Sequence, residues 1–375
     1  MKRPWTLLIS PVVPDAQGTG IQRRAWMWAS ELSRSYDLVT LVINGAPVNV
    51  GGPSAVPGKM IVVAPDARSN RWWKRYTWRR PMPAAFHDVV RELPADPPHQ
   101  IIVFRLEVLP VIHWLPIHWH DRLDIDIDDW ESQKYRGFIW MALRYRQWRE
   151  SASYCQFYCL SRITERAAVL LARVIYIAAA EDAKVLARKH PRAQVIPLPN
   201  RIVALSEGLP EHRHPQSASL LFVGDLRYLP NRDAIYWFVN NALPRLLKSH
   251  PQLTFYVVGD ATEELARFLK AAPLVWAGRL PDLRDAYANT AIAIAPLRGG
   301  SGTKFKILEA WLYHRAVVAT SHAVRGLGVS PGIHALVADD VDTFVAACQL
   351  LLDDESRRHR IAEAGHRLAH ENFML

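Results

Sequence analysis

The stretch Pro296-Leu297-Arg298-Gly299-Gly300-Ser301-Gly302-Thr303-Lys304-Phe305-Lys306-Ile307-Leu308-Glu309-Ala310 has the residue types of an anion site. It follows an apolar run, Ala291 to Ala295, and leads into a helical pattern from Lys304 to His314. Glycine lets a backbone approach a ligand closely, and the first N–H groups of a helix point at an anion with the positive end of the dipole behind them. Gly300, Ser301, Gly302 and Thr303 form the turn, and Arg298, Lys304 and Lys306 supply charge. Deeper in the helix, Glu309 offers a carboxylate that can accept two hydrogen bonds from adjacent sugar hydroxyls. A phosphate cradle with such a carboxylate beyond it suits a nucleotide whose ribose lies against the helix.

Other positions carry weaker signals. Asp15 to Arg24 holds the first two glycines of a dinucleotide fingerprint, Gly18 and Gly20, but Arg23 stands where the third belongs. A nicotinamide site is not expected. A glycine loop lining a cleft, with Arg23 or Arg24 meeting an anion, and a plain tight turn both fit. The run Asp124-Ile125-Asp126-Ile127-Asp128-Asp129 could bind a divalent cation, cap the next helix, or place Asp126 and Asp128 beside an acceptor. Those two carboxylates and Arg23 are the catalytic candidates. His113, His118 and His120 follow no zinc spacing and read as ordinary histidines; no metal site is expected. The chain has no G-x-S-x-G elbow and no P-loop lysine, which argues against hydrolases and NTPases.

Apolar runs alternate with helical patterns along most of the chain, which predicts βαβ units and parallel sheets. With 375 residues, two such series predict an α/β protein of two doubly wound, Rossmann-like domains facing a cleft. The polar, proline-bearing segment Arg201–Ser219 marks the boundary. The domains expected are 1–203 and 204–355, with a final helix over 356–375. In the second domain Gly224, Gly259 and Gly278 each follow an apolar run, so three strand ends meet one rim, with Arg227 just beyond the first. Tyr154–Leu160 reads as a strand carrying Cys155 and Cys159 as buried structural thiols. Three scattered cysteines fit a reducing compartment.

The net charge of +10 favours anionic partners. Eleven of fourteen tryptophans precede residue 150, so aromatic surface concentrates in the first half. Its extreme is Arg71, Trp72, Trp73, Lys74, Arg75 and Trp78, which suit either an anionic membrane interface or a solvated loop with some rings packed inward. Single-stranded nucleic acid uses similar chemistry, but no base-reading motif occurs and no nucleic-acid partner is expected. No run reaches the length of a membrane span. A cytoplasmic protein, either soluble or peripheral on the inner face of the plasma membrane, is the expectation.

The segments LLFVGDLRYLPNRDAIYWF, LTFYVVGD, VWAGRLPDL, AIAIAPLRGGSGTKFKILEAWLYHRAVVAT and VRGLGV, in that order, resemble the donor domain of retaining nucleotide-sugar glycosyltransferases of the GT-B fold, family four. PLPN, ending at Asn200, is similar to that family's strand-end asparagine motif, and LDIDIDDWESQKY to a branch linked with exopolysaccharide systems. The resemblance implies transfer of a sugar from a nucleotide-diphospho-sugar, UDP- or GDP-linked, with retained stereochemistry and no required cofactor or essential metal. It implies Glu309 as the ribose-binding member of a glutamate pair whose first member is replaced here by Ser301. It implies stabilisation of the diphosphate by Gly302, Thr303 and cations among Arg227, Arg298, Lys304 and Lys306. It implies that the first domain is the acceptor side and the second the donor side. The implied acceptor is a glycan or polyprenyl-linked sugar, and the implied final helix crosses back toward the first domain. A sugar-nucleotide epimerase or a non-catalytic, membrane-associated nucleotide-sugar-binding protein would share the architecture.

Overall fold

The structure is a computed structural model and describes residues 3–16, 18–43, 56–63, 84–202, 218–300 and 305–374. Its strands form two sheets, each wholly parallel among the described residues. The first has seven strands in the order β3-β2-β1-β4-β5-β6-β7. These are β1 (Trp5–Ser10), β2 (Asp37–Ile43), β3 (Lys59–Val63), β4 (Ile101–Phe104), β5 (Leu123–Asp128), β6 (Val174–Ile177) and β7 (Gln194–Pro197). The second has six, in the order β10-β9-β8-β11-β12-β13. These are β8 (Ser219–Val223), β9 (Thr254–Val258), β10 (Val275–Trp276), β11 (Ile292–Ala295), β12 (Ala316–Ala319) and β13 (Leu336–Val337). Parallel strands are covered on both faces, which is why β4, β11 and β12 read as unbroken apolar runs and are buried throughout.

The chain falls into two compact units. The first comprises Met1–Arg136 and Ala152–Arg201, and the second Gly137–Ser151 and Ile202–Leu375. A division in linear order at 203/204 therefore misses residues 137–151, which belong with the second half. Each unit has its own apolar core. In each sheet the strand order reverses once, between β1 and β4 in the first and between β8 and β11 in the second. Crossover connections leave such a switch point on opposite faces, so a crevice opens beyond the strands' carboxyl ends.

Some of the helices begin where the sequence supplies a cap. The first, α1 (Gly20–Ser35), turns Ala25, Met27, Trp28, Ala29 and Leu32 inward. It is followed by α2 (Ala84–Glu92), α3 (Glu131–Arg144), α4 (Trp148–Leu171) and α5 (Ala180–Lys189). In the second half come α6 (Leu229–Trp237), α7 (Leu243–Ser249), α8 (Glu263–Ala271), α9 (Arg284–Ala288), α10 (Phe305–Leu312), α11 (Val341–Asp353) and α12 (Glu355–Phe373). Thr262, Asp340 and Asp354 accept backbone N–H bonds at the starts of α8, α11 and α12.

Two sequence expectations are corrected here. Tyr154–Leu160 is not a strand but the middle of α4, a helix of 24 residues. A short aromatic run does not distinguish strand from helix; the inward residues Ser151, Ser161, Thr164, Glu165 and Ala168 recur at helical spacing. Cys155 and Cys159 therefore lie on the outer face of this helix, exposed, while Cys348 is buried. The helical pattern at Lys134–Glu150 is two helices, α3 and the start of α4, with Arg146 in left-handed backbone at the turn (φ 56°).

The last helix, α12, packs on α10, α11 and β12. Gly365 lets it lie against the fully buried Trp311, because a Cβ there would sit 2.4 Å from the indole. Gly365→Val is expected to lower stability by about 1–3 kcal/mol through overpacking, seen as a lower urea midpoint. An unchanged midpoint would show that α12 is free to move off the indole.

Candidate functional site

The crevice of the second sheet lies between the carboxyl ends of β8 and β11. Gly224 follows β8, Gly259 follows β9 and Gly278 lies beyond β10, and the three are stitched together. The Gly224 N–H donates to Val258 O (2.9 Å), and that of Gly259 to Gly278 O (2.7 Å). A Cβ at Gly259 would lie 1.9 Å from Gly224 O, and the backbone there is in the region that favours glycine (φ 143°). Close packing of this rim thus demands glycine.

Above Gly224 sits a cation. Lys306, in the first turn of the described part of α10, places Nζ 2.7 Å from Asn231 Oδ1 and 4.0 Å from the centre of the Phe222 ring. A Cβ at Gly224 would meet Asn231 Nδ2 at 2.8 Å and Lys306 Nζ at 2.9 Å. Asn231 is itself held, because its Nδ2 donates to Asp225 O (2.8 Å). An amide therefore orients the ammonium at the switch point. Glu309 follows on the same helix, half-buried.

The other arginines expected to meet a ligand have carboxylate partners. Arg227 forms a bidentate pair with Asp225 (2.9 and 2.8 Å) and reaches Asp260 at 3.3 Å. Burial works against the Asp225 carboxylate, but Arg227 holds its pKa below the ordinary value. Arg298 is bound by the buried Asp233, with Nε 3.0 Å from Oδ2. Tyr145 donates to the same carboxylate (2.7 Å), and burial together with this bond pushes the phenol's pKa up.

The turn leading into α10 is fixed from several sides up to Gly300. Thr320 Oγ1 donates to Leu297 O. His322 Nε2 lies 2.7 Å from Gly300 O and carries the proton of that bond, since a carbonyl only accepts. A Cβ on Gly299 would lie 1.9 Å from Met141 Cε, and one on Gly300, where φ is 96°, 3.2 Å from Tyr228 Oη. Ser301, Gly302, Thr303 and Lys304 lie outside the described residues.

In the first unit, Gly18 and Gly20 flank the start of α1. The loop closes on itself: the Thr19 N–H donates to Gln22 Oε1 (3.0 Å), and Arg23 Nε donates to Gly18 O (2.8 Å). Arg24, not Arg23, is the organising residue. It is fully buried and donates twice to Asp126 (2.7 and 2.8 Å), once to Leu198 O (2.9 Å) and once to Asn200 Oδ1 (2.9 Å). Trp28 Nε1 and the Asp128 N–H also donate to Asp126 (2.6 and 2.8 Å), so Asp126 is enclosed by donors. Asp128 reaches Arg24 at 3.4 Å and Arg105 at 3.1 Å, and Arg105 continues to Glu131 (3.1 Å).

Arg105 and Asp128, at the ends of β4 and β5, both have left-handed backbone (φ 74° and 53°), a local strain of roughly 1–3 kcal/mol each. Among the described residues no cluster of three or more metal-ligating side chains has the geometry to hold an ion. Arg71, Trp72, Trp73, Lys74, Arg75 and Trp78 lie outside the described residues. Sequence reasoning passed over Arg105, Asp233, Tyr145 and His322, whose partners are distant in the chain; only the choice between Arg23 and Arg24 was in view.

Residues 217–354 match the sequence model of the family Glycosyl transferases group 1. Over 137 residues, 34% of this chain, the sequence is 28% identical to an uncharacterized 44.6 kDa protein in the cps region of Klebsiella pneumoniae. The chain spans about a third (35%) of that relative's length. The fold is that of glycosyltransferases of known structure. It is similar to sucrose-phosphate synthase from Thermosynechococcus elongatus, with a TM-score of 0.69 and 13% identity over 99% of this chain and 95% of that one. It is also similar to Anabaena Alr3699/HepE, determined in complex with UDP and glucose, with a TM-score of 0.63 and 13% identity over 99% of this chain and 96% of that one. Two parallel-sheet α/β domains of the GT-B class thus define the architecture.

Burial, the Asp129 charge and Asp126 raise the Asp128 carboxyl to about 6 against the pull of Arg24 and Arg105. A carboxyl that holds its proton more tightly when folded contributes stability below the unfolded value. That contribution is lost as pH rises through about 6. Relative to Asp128→Asn, the parent is expected to lose on the order of 3 kcal/mol between pH 4 and 7 in urea titrations. Parallel pH profiles for the two proteins would refute the assignment.

Proposed function

We propose that the chain is a glycosyltransferase that takes a sugar from a nucleoside-diphospho-sugar bound at the second sheet. The observation that carries this reading is the Lys306 ammonium, held by Asn231 over Gly224 at the point where the strand order reverses. A diphosphate needs close backbone approach and a cation, and Gly224 and Lys306 offer both. Glu309, farther along α10, would accept the ribose hydroxyls. The match of residues 217–354 to a glycosyltransferase family supports the reading, as does a structural relative determined with UDP and glucose.

Cleavage of the sugar–phosphate bond leaves negative charge on the diphosphate. A preorganised ammonium at that end lowers the barrier without an essential metal or cofactor. UDP- or GDP-sugars are the donor class, transfer proceeds with retention, and the acceptor is a glycan or polyprenyl-linked sugar. The proposed place is bacterial surface or exopolysaccharide synthesis, in the cytoplasm. Gly18 and Gly20 keep their proposed donor-binding role, and Arg23, Asp126 and Asp128 belong to the acceptor side. Asp126 acts there as a scaffold for Arg24 rather than as a reacting group, since its oxygens face Arg24, Trp28 and a backbone N–H. Ser301, where the resemblance leads one to expect glutamate, favours a second reading, a nucleotide-sugar-binding protein without turnover.

Calorimetric titration with UDP, GDP, ADP and dTDP without metal tests the donor site. One nucleotide is expected to bind selectively. Glu309→Ala should weaken it by about 1–3 kcal/mol through two lost ribose bonds. Lys306→Met should weaken the diphosphate far more than the parent nucleoside, because only the former carries the charge it meets. Binding of none of the four would overturn the proposal; binding without sugar release from any donor would select the second reading.

A further inference from the structure

The helix α4 presents an apolar stripe to solvent. Trp148 (66% exposed), Ile163 (57%) and Leu170 (84%) lie on its outer face with the exposed thiols of Cys155 and Cys159. Exposed Ala152 and Arg166 fill the remaining positions. At 100° per residue all of these fall within an arc of roughly 80°, along about 33 Å of helix. The outer stripe of an ordinary surface helix is polar, so one that carries an indole, two large aliphatic side chains and two thiols around a single arginine calls for an occupant.

The charges bordering the stripe have one sign. Along α4 itself Arg149 and Arg166 are exposed and Arg162 is half-exposed. The two acids of α4 are engaged elsewhere: Glu165 points inward and accepts from Ser132 (2.7 Å), and Glu150 pairs with Arg232 (3.1 Å). Two copies of such a face would repel each other. A surface that is apolar beneath and anionic above would accept it, with the indole ring at headgroup level and guanidinium groups on lipid phosphates. No described helix is long and apolar enough to cross a membrane. The geometry points to α4 lying in the plane of an anionic bilayer surface as an interfacial anchor. The inference does not depend on the donor chemistry, which nucleotide titration reads separately.

The test is sedimentation of the full chain with vesicles of phosphatidylcholine alone or mixed with phosphatidylglycerol. The parent is expected to bind the mixed vesicles. The triple variant Trp148→Ser, Ile163→Ser, Leu170→Ser should bind them about tenfold or more weakly, with its urea midpoint unchanged. Arg149→Gln, Arg162→Gln, Arg166→Gln should lose the preference for phosphatidylglycerol. An environment-sensitive fluorophore on the native Cys155 and Cys159 should shift to the blue when mixed vesicles are added. Equal binding by parent and triple variant would overturn the proposal and place the contact elsewhere on the chain. Failure of the parent to bind would also overturn it, as would a dimer in sedimentation equilibrium that the triple substitution abolishes.

Discussion

Every described strand pair is parallel, and that constraint governs the molecule. A parallel strand cannot return through a tight turn, so each connection crosses a face of the sheet. All carboxyl ends within a sheet then share one rim, and the single reversal of strand order opens that rim to a ligand. The glycines after β8 and β9 are a direct consequence. Strand ends that must crowd together around the reversal have no room for a Cβ where Gly259 meets Gly224. Chemistry at the second sheet follows from topology first and from side chains second.

The two sheets use charge differently. In the first, cations and carboxylates neutralise one another in a buried lattice of Arg24, Asp126, Asp128, Arg105 and Glu131. Burial penalises each guanidinium, yet the facing carboxylates keep both arginines charged. Such a lattice holds α1, β5 and the segment after β7 in fixed register. In the second sheet Arg227 and Arg298 are likewise tied to carboxylates, whereas an amide orients Lys306. An amide directs an ammonium without cancelling its charge.

The parallel sheets, the glycine rim and the strand preceding the Pro296 turn were legible because they rest on local pattern: apolar runs, punctuation by glycine, and helix starts. What stayed hidden depends on residues far apart in sequence. Nothing local marks Asp233 as the partner of Arg298 and Tyr145, since these positions span more than half of the second unit's chain length and the segment before it. Arg23 and Arg24 are adjacent and chemically identical, and only the helical phase of α1 decides which one is buried. The α4 region misled for a related reason. Its aromatic and thiol residues have the composition of a buried strand, but the sequence does not say which face of a helix they occupy.

The placement of Gly137–Ser151 in the second unit means that this unit is not one continuous piece of chain. Met141 closes over Gly299, Phe138 packs edge-on against Tyr228, and Tyr145 shares Asp233 with Arg298. A gene fragment that begins at the polar linker would encode the second sheet without the helical corner that supports its glycine turn. Recombination between relatives at that linker would likewise pair one parent's turn with the other's corner. The two segments are therefore bound to change together, and exchange of the whole second unit between relatives requires two crossovers instead of one.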